Sequence, residues 1–372
     1  MKKMIKVFVT LISILIAVII IVTVLFLGWL KSVSPGKTQP ICDSTGKIVE
    51  NSIAETQRIE IGGIKQFVII RGENIHNPVL LMLHGGPGSP QAHATLKYNK
   101  MLEDYFVVVN WDQRGAGATY SKDIPVESIN IDQMIEDTRE LSQYLIKRFH
   151  QDKIYILGHS WGSYLGMRTI QKYPNLFKAY IGIGQVANQR KSEEESYQFV
   201  LNKAHETNNE RAIKQLEEIG YPENGLYKNM EKDMQAERNW VMNYGGAAWE
   251  KTKKDIFSMF IWPLITFREY TVTDKINYIK GMKVSLTQLW DPLMNQQLVD
   301  VVKKVDVPVY ILQGKHDYQT CYDIAKQYFD SLEAPHKEFI EFSNSAHFLP
   351  YNMEINKFHE VMTKKILKET SY

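Results

Sequence analysis

Ile154-Tyr155-Ile156-Leu157-Gly158-His159-Ser160-Trp161-Gly162-Ser163 is a short apolar run that breaks into a GxSxG pentapeptide and continues over 163–172 as a helix-forming stretch. This order of strand, sharp turn and helix decides how the chain is read. Such a turn leaves no room for a Cβ on either side of its apex, hence the two glycines. It holds the residue between them in a strained, exposed position above the sheet. Ser160 is therefore the candidate nucleophile. A lone GxSxG recurs by chance in a chain of 372 residues, so its neighbours must carry the argument.

Moving outward, strand-like apolar runs recur at 79–83, 106–110, 154–157, 179–183, 309–312 and 339–342, separated by amphipathic stretches. Two further β-rich runs, 57–61 and 65–70, flank Gly62-Gly63 as the arms of a hairpin. Buried strands alternating with helical segments predict an α/β fold, a mostly parallel sheet with helices on both faces. Between Ile183 and Val309 the rhythm gives way to amphipathic segments at 192–204, 210–219, 227–242 and 274–305, the last broken at Asp291-Pro292. This interval reads as an inserted helical cap, residues 187–304, between core segments 56–186 and 305–372. Trp240, Trp249, Trp262 and Trp290 could line a pocket, but aromatic residues in a helical cap are expected more often to pack its core. Glu193-Glu194-Glu195 reads as a solvated face near a helix N-terminus, where carboxylates suit the dipole.

The amino terminus differs from everything after it, since no residue from 7 to 30 is charged. A bilayer core of about 30 Å needs roughly 20 helical residues at about 1.5 Å each, and this stretch exceeds that. A signal-peptide apolar region is shorter and ends in small residues, whereas this one ends in Phe26-Leu27-Gly28-Trp29-Leu30. Residues 1–31 are thus predicted to be an uncleaved, single-pass membrane anchor, with 32–55 as a polar linker. Lys2, Lys3 and Lys6 would stay cytoplasmic, placing the catalytic body outside the cell membrane. The net charge of +2, with basic residues scattered along the chain, lacks the footprint of a nucleic-acid binder. Cys42 and Cys321 fit no zinc or redox spacing, and sequence does not place them within bonding distance.

Acyl transfer by a serine needs a base, a group that orients the base, and donors for the oxyanion. Asp317 follows the 309–312 run and a glycine turn, and His347 follows the 339–342 run, so both belong at the carboxyl edge of the sheet. The order Ser160, Asp317, His347 is the one this fold requires. Asp291, Asp306 and Asp323 compete for the acid, but only Asp317 directly follows a buried strand and a glycine turn; His316, His336 and His359 compete with His347, which is favoured by its place after the last strand. His84-Gly85-Gly86-Pro87-Gly88 follows the 79–83 run, and the amides of Gly86 and Trp161 are the expected oxyanion hole. Neither phosphate-binding glycine motif occurs in the right context. No metal ligand set and no organic cofactor is implied.

Together, His84 to Gly88, Trp111-Asp112-Gln113-Arg114-Gly115 and Gly158 to Ser163 resemble the proline iminopeptidase (prolyl aminopeptidase) family of α/β-hydrolases, over roughly residue 57 to the C-terminus. The resemblance implies that Asp317 and His347 complete a triad, that the helical cap closes over the site, and that Asp112 and Arg114 brace the loops around the oxyanion hole. It also implies that Glu250, after Trp249, binds the charged amino terminus of the substrate, although Gly245-Gly246-Ala247-Ala248 stands where the family usually has another tryptophan. The expected activity is removal of an N-terminal residue, proline among the candidates, from short peptides. Two alternatives stay open: an esterase or amidase acting on a small-molecule acyl substrate, and a tethered binding protein without chemistry. Haloalkane- or epoxide-opening enzymes carry Asp at the position of Ser160.

Overall fold

Ile61 and Ile64 pair across Gly62-Gly63, whose φ values of 56° and 75° are those of a two-residue type I′ turn, a conformation open to glycine at both positions. The flanking strands, β1 (Ile53–Ile61) and β2 (Ile64–Gly72), are antiparallel. In the computed structural model, which describes residues 2–250, 253–351 and 354–370, they form one edge of an eight-stranded sheet. The remaining strands are β3 (Val79–Leu83), β4 (Val107–Trp111), β5 (Ile154–His159), β6 (Phe177–Ile183), β7 (Val309–Gly314) and β8 (Lys337–Phe342). The order is β1-β2-β4-β3-β5-β6-β7-β8, parallel from β4 onward. The 79–83 run is β3 itself. Others, such as 154–157, extend further than their apolar residues because the backbone ladder, not side-chain polarity, ends a strand.

The sheet is buried on both faces, as parallel sheets are. Leu81, Val109 and Ile156 pack on one side with residues of α3 (Ile131–Arg148) and α4 (Trp161–Lys172). Leu80, Val108, Leu157 and Ile181 pack on the other with Phe358 and Met362 of the C-terminal helical run, α13 (Ile355–Glu360) to α14 (Leu367–Thr370). α2 (Ala92–Tyr98) follows β3, and α12 (Tyr322–Ser331) joins β7 to β8. From β3 the chain steps one way to β4 and then the other way to β5. Helices leaving those strands therefore diverge, which opens a crevice at the carboxyl ends of β3 and β5.

The insertion between β6 and β7 comprises α5 (Gln189–Glu206), α6 (Glu210–Ile219), α7 (Met230–Asn243), α8 (Lys253–Ile256), a wide turn at Phe257–Ile261, α9 (Trp262–Thr266), α10 (Val272–Asn295) and α11 (Leu298–Val301). Asn188, Asn209 and Asn229 cap α5, α6 and α7 through their side-chain oxygens, so α7 starts after Asn229 rather than at Tyr227. The expected break at Asp291-Pro292 does not occur. Pro292 removes a single amide, and buried Leu289, Leu293 and Met294 hold the last turns of α10 against the core. The solvated reading of Glu193 is also corrected: its side chain is fully buried and ion-paired with Arg238, which also pairs with buried Glu237. Only Glu195 of the three is exposed.

α1 (Lys2–Ser32) contains the apolar span Ile5–Ser32 and buries none of it in the protein. The Thr10 and Ser13 hydroxyls donate back to the Lys6 and Val9 carbonyls, both at 2.9 Å, so these two polar groups are satisfied within the helix, as a candidate membrane span favours.

Candidate active site

At the apex of the turn between β5 and α4, Ser160 has φ 54° and ψ −124°, strained for a residue with a side chain. Packing leaves it no alternative. A Cβ on Gly158 would run into the Gly162 carbonyl, and one on Gly162 into the carbonyl of Leu83 at the end of β3. The Ser160 amide donates to the Ile183 carbonyl at 2.9 Å, fixing the elbow to the end of β6. Ser160 remains half-exposed while Trp161, Gly162 and Ser163 are buried.

Asp317 and His347 come from loops that pack on one another. A Cβ on Gly314 would meet the Ala346 carbonyl, and the His316 amide donates to the Ser345 carbonyl at 3.0 Å. Asp317 Oδ1 accepts the amides of Gln319 (2.8 Å) and Thr320 (2.9 Å), while Oδ2 accepts the Thr320 hydroxyl (2.8 Å), the Gln313 amide group (3.1 Å) and His347 Nδ1 (2.9 Å). Burial pushes this carboxyl up, but the His347 charge and hydrogen bond, with the donors from Thr320, outweigh it and hold it below the ordinary carboxylate range. A proton on Nδ1 directed at a carboxylate leaves Nε2 as the basic nitrogen of His347. Gly184, next to the residue that anchors Ser160, lies so close to His347 that a Cβ would stand 2.9 Å from Nδ1. Ser160 and His347 share no hydrogen bond among the described residues; such contacts tighten once substrate is in place.

The glycine-rich loop lies directly over the elbow, since a Cβ on Gly85 would meet Ser160 Cβ at 3.0 Å. Gly86 has φ 115°, and among the described residues neither its amide nor that of Trp161 donates to another group. Gln113 holds the two together: it donates to the His84 carbonyl at 3.2 Å and accepts the Trp161 indole N–H at 3.0 Å, while its amide donates to His84 Nε2 at 3.2 Å. Burial lowers His84 to about 4, so it serves as a neutral acceptor. This corrects the expectation for Asp112 and Arg114. Arg114 instead pairs with Asp137 (2.8 Å) on α3 and with the Gly62 carbonyl (2.7 Å), and Asp112 accepts the Ala118 amide (2.7 Å) and the Tyr270 hydroxyl (2.5 Å). Gln113, lying between two charged residues, carries no charge signal that would mark it in the sequence.

Asp112 gives a test. Burial first of all raises its carboxyl to about 7, against which the Tyr270 and Ala118 hydrogen bonds act. A folded-state value above the unfolded 3.8 means that this group's stabilisation is complete below about 4 and is lost as pH rises through about 7. Asp112→Asn keeps an acceptor for both donors and removes the titration. Its melting temperature relative to the native chain should therefore rise between pH 5 and pH 8; a constant difference would show that Asp112 does not titrate there.

His159 is a residue whose role the sequence does not reveal. Its Nε2 meets the His347 carbonyl at 2.9 Å and its Nδ1 the side-chain amide of Gln91 at 3.0 Å, so it ties the elbow to the histidine loop. Burial lowers it to about 3. The competing histidines lie elsewhere: His359 meets Asn99, His336 packs near Tyr310, and His316 stacks under Trp249 with ring centroids 3.5 Å apart. Glu250, beside Trp249, is exposed at φ 53° and close enough to His316 for its charge to act there. Cys42 is exposed and Cys321 buried, and both are free.

A family model for the α/β hydrolase fold matches residues 78–352. The probable aminopeptidase YbaC of Bacillus subtilis (strain 168) is 36% identical over 318 residues, covering 85% of this chain and 97% of the relative. The proline iminopeptidase of Lactobacillus delbrueckii subsp. lactis is 22% identical over 324 residues, covering 84% and 97%. Among solved structures, a proline iminopeptidase-related protein from Thermus thermophilus superposes with a TM-score of 0.58 at 17% identity, covering 84% of this chain and 97% of that one. With an elbow, a glycine-rich loop and a mostly parallel sheet in the matching places, the chain is a hydrolase that belongs to the α/β-hydrolase family, beside relatives named as aminopeptidases and proline iminopeptidases.

Proposed function

We propose that this protein is a membrane-anchored serine aminopeptidase that releases an N-terminal residue, proline among the candidates, from short peptides. The observation that carries the reading is the buried 2.9 Å hydrogen bond between Asp317 and His347, set against Gly184 beside the Ser160 elbow. Ser160 Oγ attacks the carbonyl of the first residue while His347 Nε2 takes its proton, and Asp317 holds the imidazole and stabilises its charge. Negative charge moves to the carbonyl oxygen, where the Gly86 and Trp161 amides receive it; loss of one such donor typically costs about 3–4 kcal/mol. The intermediate collapses, the peptide amine leaves with the proton from His347, and the acyl group stays on Ser160. Water, deprotonated by His347, then releases the residue and restores the serine.

An aminopeptidase must also bind an α-ammonium, which is mostly protonated below its pKa of about 8. Glu250 takes this role: it sits on the loop after α7, and its neighbour Trp249 stacks on His316, which precedes Asp317 in the chain. The charge-free span in α1 serves as the anchor, with Lys2, Lys3 and Lys6 on the cytoplasmic side and the catalytic body outside. Turnover of a prolyl anilide and of a simple ester of the same leaving-group reactivity tests the reading. The anilide should be cleaved, and Glu250→Gln should raise its KM by about tenfold or more while changing ester hydrolysis little. Rapid ester cleavage, no anilide cleavage and indifference to Glu250→Gln would make the protein an esterase.

A further inference from the structure

The apolar helical stretch Phe257–Thr266 has two apolar faces, which a cap helix surrounded by water would not need. Met259 and Pro263 are buried, and Phe260 packs on Phe348 (4.6 Å) and Tyr351 (5.8 Å), with Phe348 adjacent to His347 in the chain. On the outer face Phe257, Ile261 and Trp262, at i, i+4 and i+5, are 47%, 46% and 46% exposed. Contiguous exposed apolar side chains of this size mark an interaction surface.

What covers them follows from α1. Trp262 stacks on Trp29, near the end of α1, with ring centroids 6.0 Å apart and planes at 22°. The connection after α1 is not a loose tether. Lys275 of α10 donates to the Ser34 hydroxyl and to the Ile265 carbonyl, both at 2.6 Å; the Gly36 amide donates to the Arg268 carbonyl at 2.9 Å; and Arg71 of β2 donates to the Gln39 carbonyl at 2.6 Å. Ile279 and Met282 follow Lys275 at i+4 and i+7 on the same flank of α10 and are 66% and 39% exposed. The span Ile5–Ser32 has 28 residues, about 42 Å of helix against a hydrocarbon core of about 30 Å. On the anchor reading, a helix of this length reaches beyond the hydrocarbon, and Trp29 at its outer end would stand in the headgroup layer, where tryptophan is favoured, with Trp262 stacked on it at the same depth.

We propose that the outer face of the Phe257–Thr266 helix, with Phe257, Ile261 and Trp262, is seated in the headgroup layer of the bilayer that α1 spans. The helix that packs over Phe348 is then a membrane-contacting wall of the catalytic crevice, and substrate reaches Ser160 along the membrane surface. This rests on the anchor reading of α1. Amphipathic helices that lie in the interface bury their apolar side in this way.

The test uses the full-length chain in lipid nanodiscs, in a Cys42→Ser background, with an environment-sensitive fluorophore on one introduced cysteine; Cys321 is buried and stays unlabelled. The positions are Ile261→Cys on the proposed face, Leu15→Cys inside α1, and Asp330→Cys at the exposed end of α12 by the opposite sheet edge. Nitroxides carried on lipid headgroups should quench position 261 at least severalfold more than position 330, and mid-chain nitroxides should quench position 15. Quenching at 15 with 261 no different from 330 overturns the docking and leaves the anchor standing. A blue-shifted but unquenched label at 261 would mean that a second copy of the chain covers the face, which also overturns it. No quenching at 15 removes the anchor reading, and the docking falls with it.

Discussion

Replacing Ser160 with alanine is expected to lower kcat by about 10⁶-fold, and Asp317→Asn by about 10⁴-fold, with both variants folded. The two losses differ because the groups act differently. On the proposed mechanism, loss of the hydroxyl removes the covalent route and leaves only the proposed oxyanion amides and substrate binding. Without the carboxylate the chemistry survives, but the imidazole loses its orientation. An asparagine at this position would offer an N–H to His347 Nδ1 and so favour the tautomer that carries its proton on Nε2, where the base is needed. In the variant the oxygen still accepts the Gln319 and Thr320 amides and so holds the loop, while the nitrogen in place of Oδ2 no longer accepts from Gln313 or the Thr320 hydroxyl. Steady-state kinetics on a prolyl anilide, with melting temperature as the control for folding, separates the two effects. Equal residual rates in the native chain and in Ser160→Ala would place the chemistry elsewhere.

The largest expected effect on stability lies in the cap. Arg238, whose side chain is 16% exposed, lies between the fully buried Glu193 and Glu237 side chains and donates to both. Arg238→Ala leaves two carboxylates in a dry site together with a cavity, and removal of one partner from such a buried cluster typically costs about 3–5 kcal/mol. The pH dependence carries a sign. Burial, the largest influence, and the neighbouring Glu193 raise Glu237 while Arg238 lowers it, and the balance lies above the ordinary carboxylate range. Stabilisation from a raised carboxyl is complete below its unfolded value and is lost as pH rises through the folded one. Without the arginine that rise is larger, so the deficit of Arg238→Ala should be greater at pH 8 than at pH 5, as read by denaturant unfolding at each pH. An equal or smaller deficit at pH 8 would show that losing the arginine does not raise Glu237 further. The cluster also bears on the site: Gln189 bridges Glu193 to the Gln319 carbonyl, and the Ser192 hydroxyl accepts the Cys321 amide, so the cap core and the acid loop share bonds.

The sheet and the tight strand-to-helix turn at Ser160 were legible because backbone geometry restricts sequence most strongly there. Gly158 and Gly162 have no space for a side chain, Gly62 and Gly63 adopt positive φ, and the central strands β3 to β7 are buried and largely apolar. The positions of Asp317 and His347 after core strands followed from the same rhythm. What sequence did not disclose were roles set by contacts between distant segments. Gln113 connects three loops through one neutral amide, His159 ties two loops through one ring, and Glu193 looks like its exposed neighbour Glu195 until Arg238, on a different helix, is brought against it. Pro292 misled because its cost as a helix breaker is local, while the packing of Leu289 and Leu293 is not.

The most direct measurement is labelling with a serine-directed fluorophosphonate, followed by mass spectrometry of the modified peptide. A single phosphonylated site at Ser160, absent in Ser160→Ala and strongly slowed in His347→Ala, is the expected result. A label on another residue, or one that persists when Ser160 is replaced, would contradict the assignment of this serine as the nucleophile.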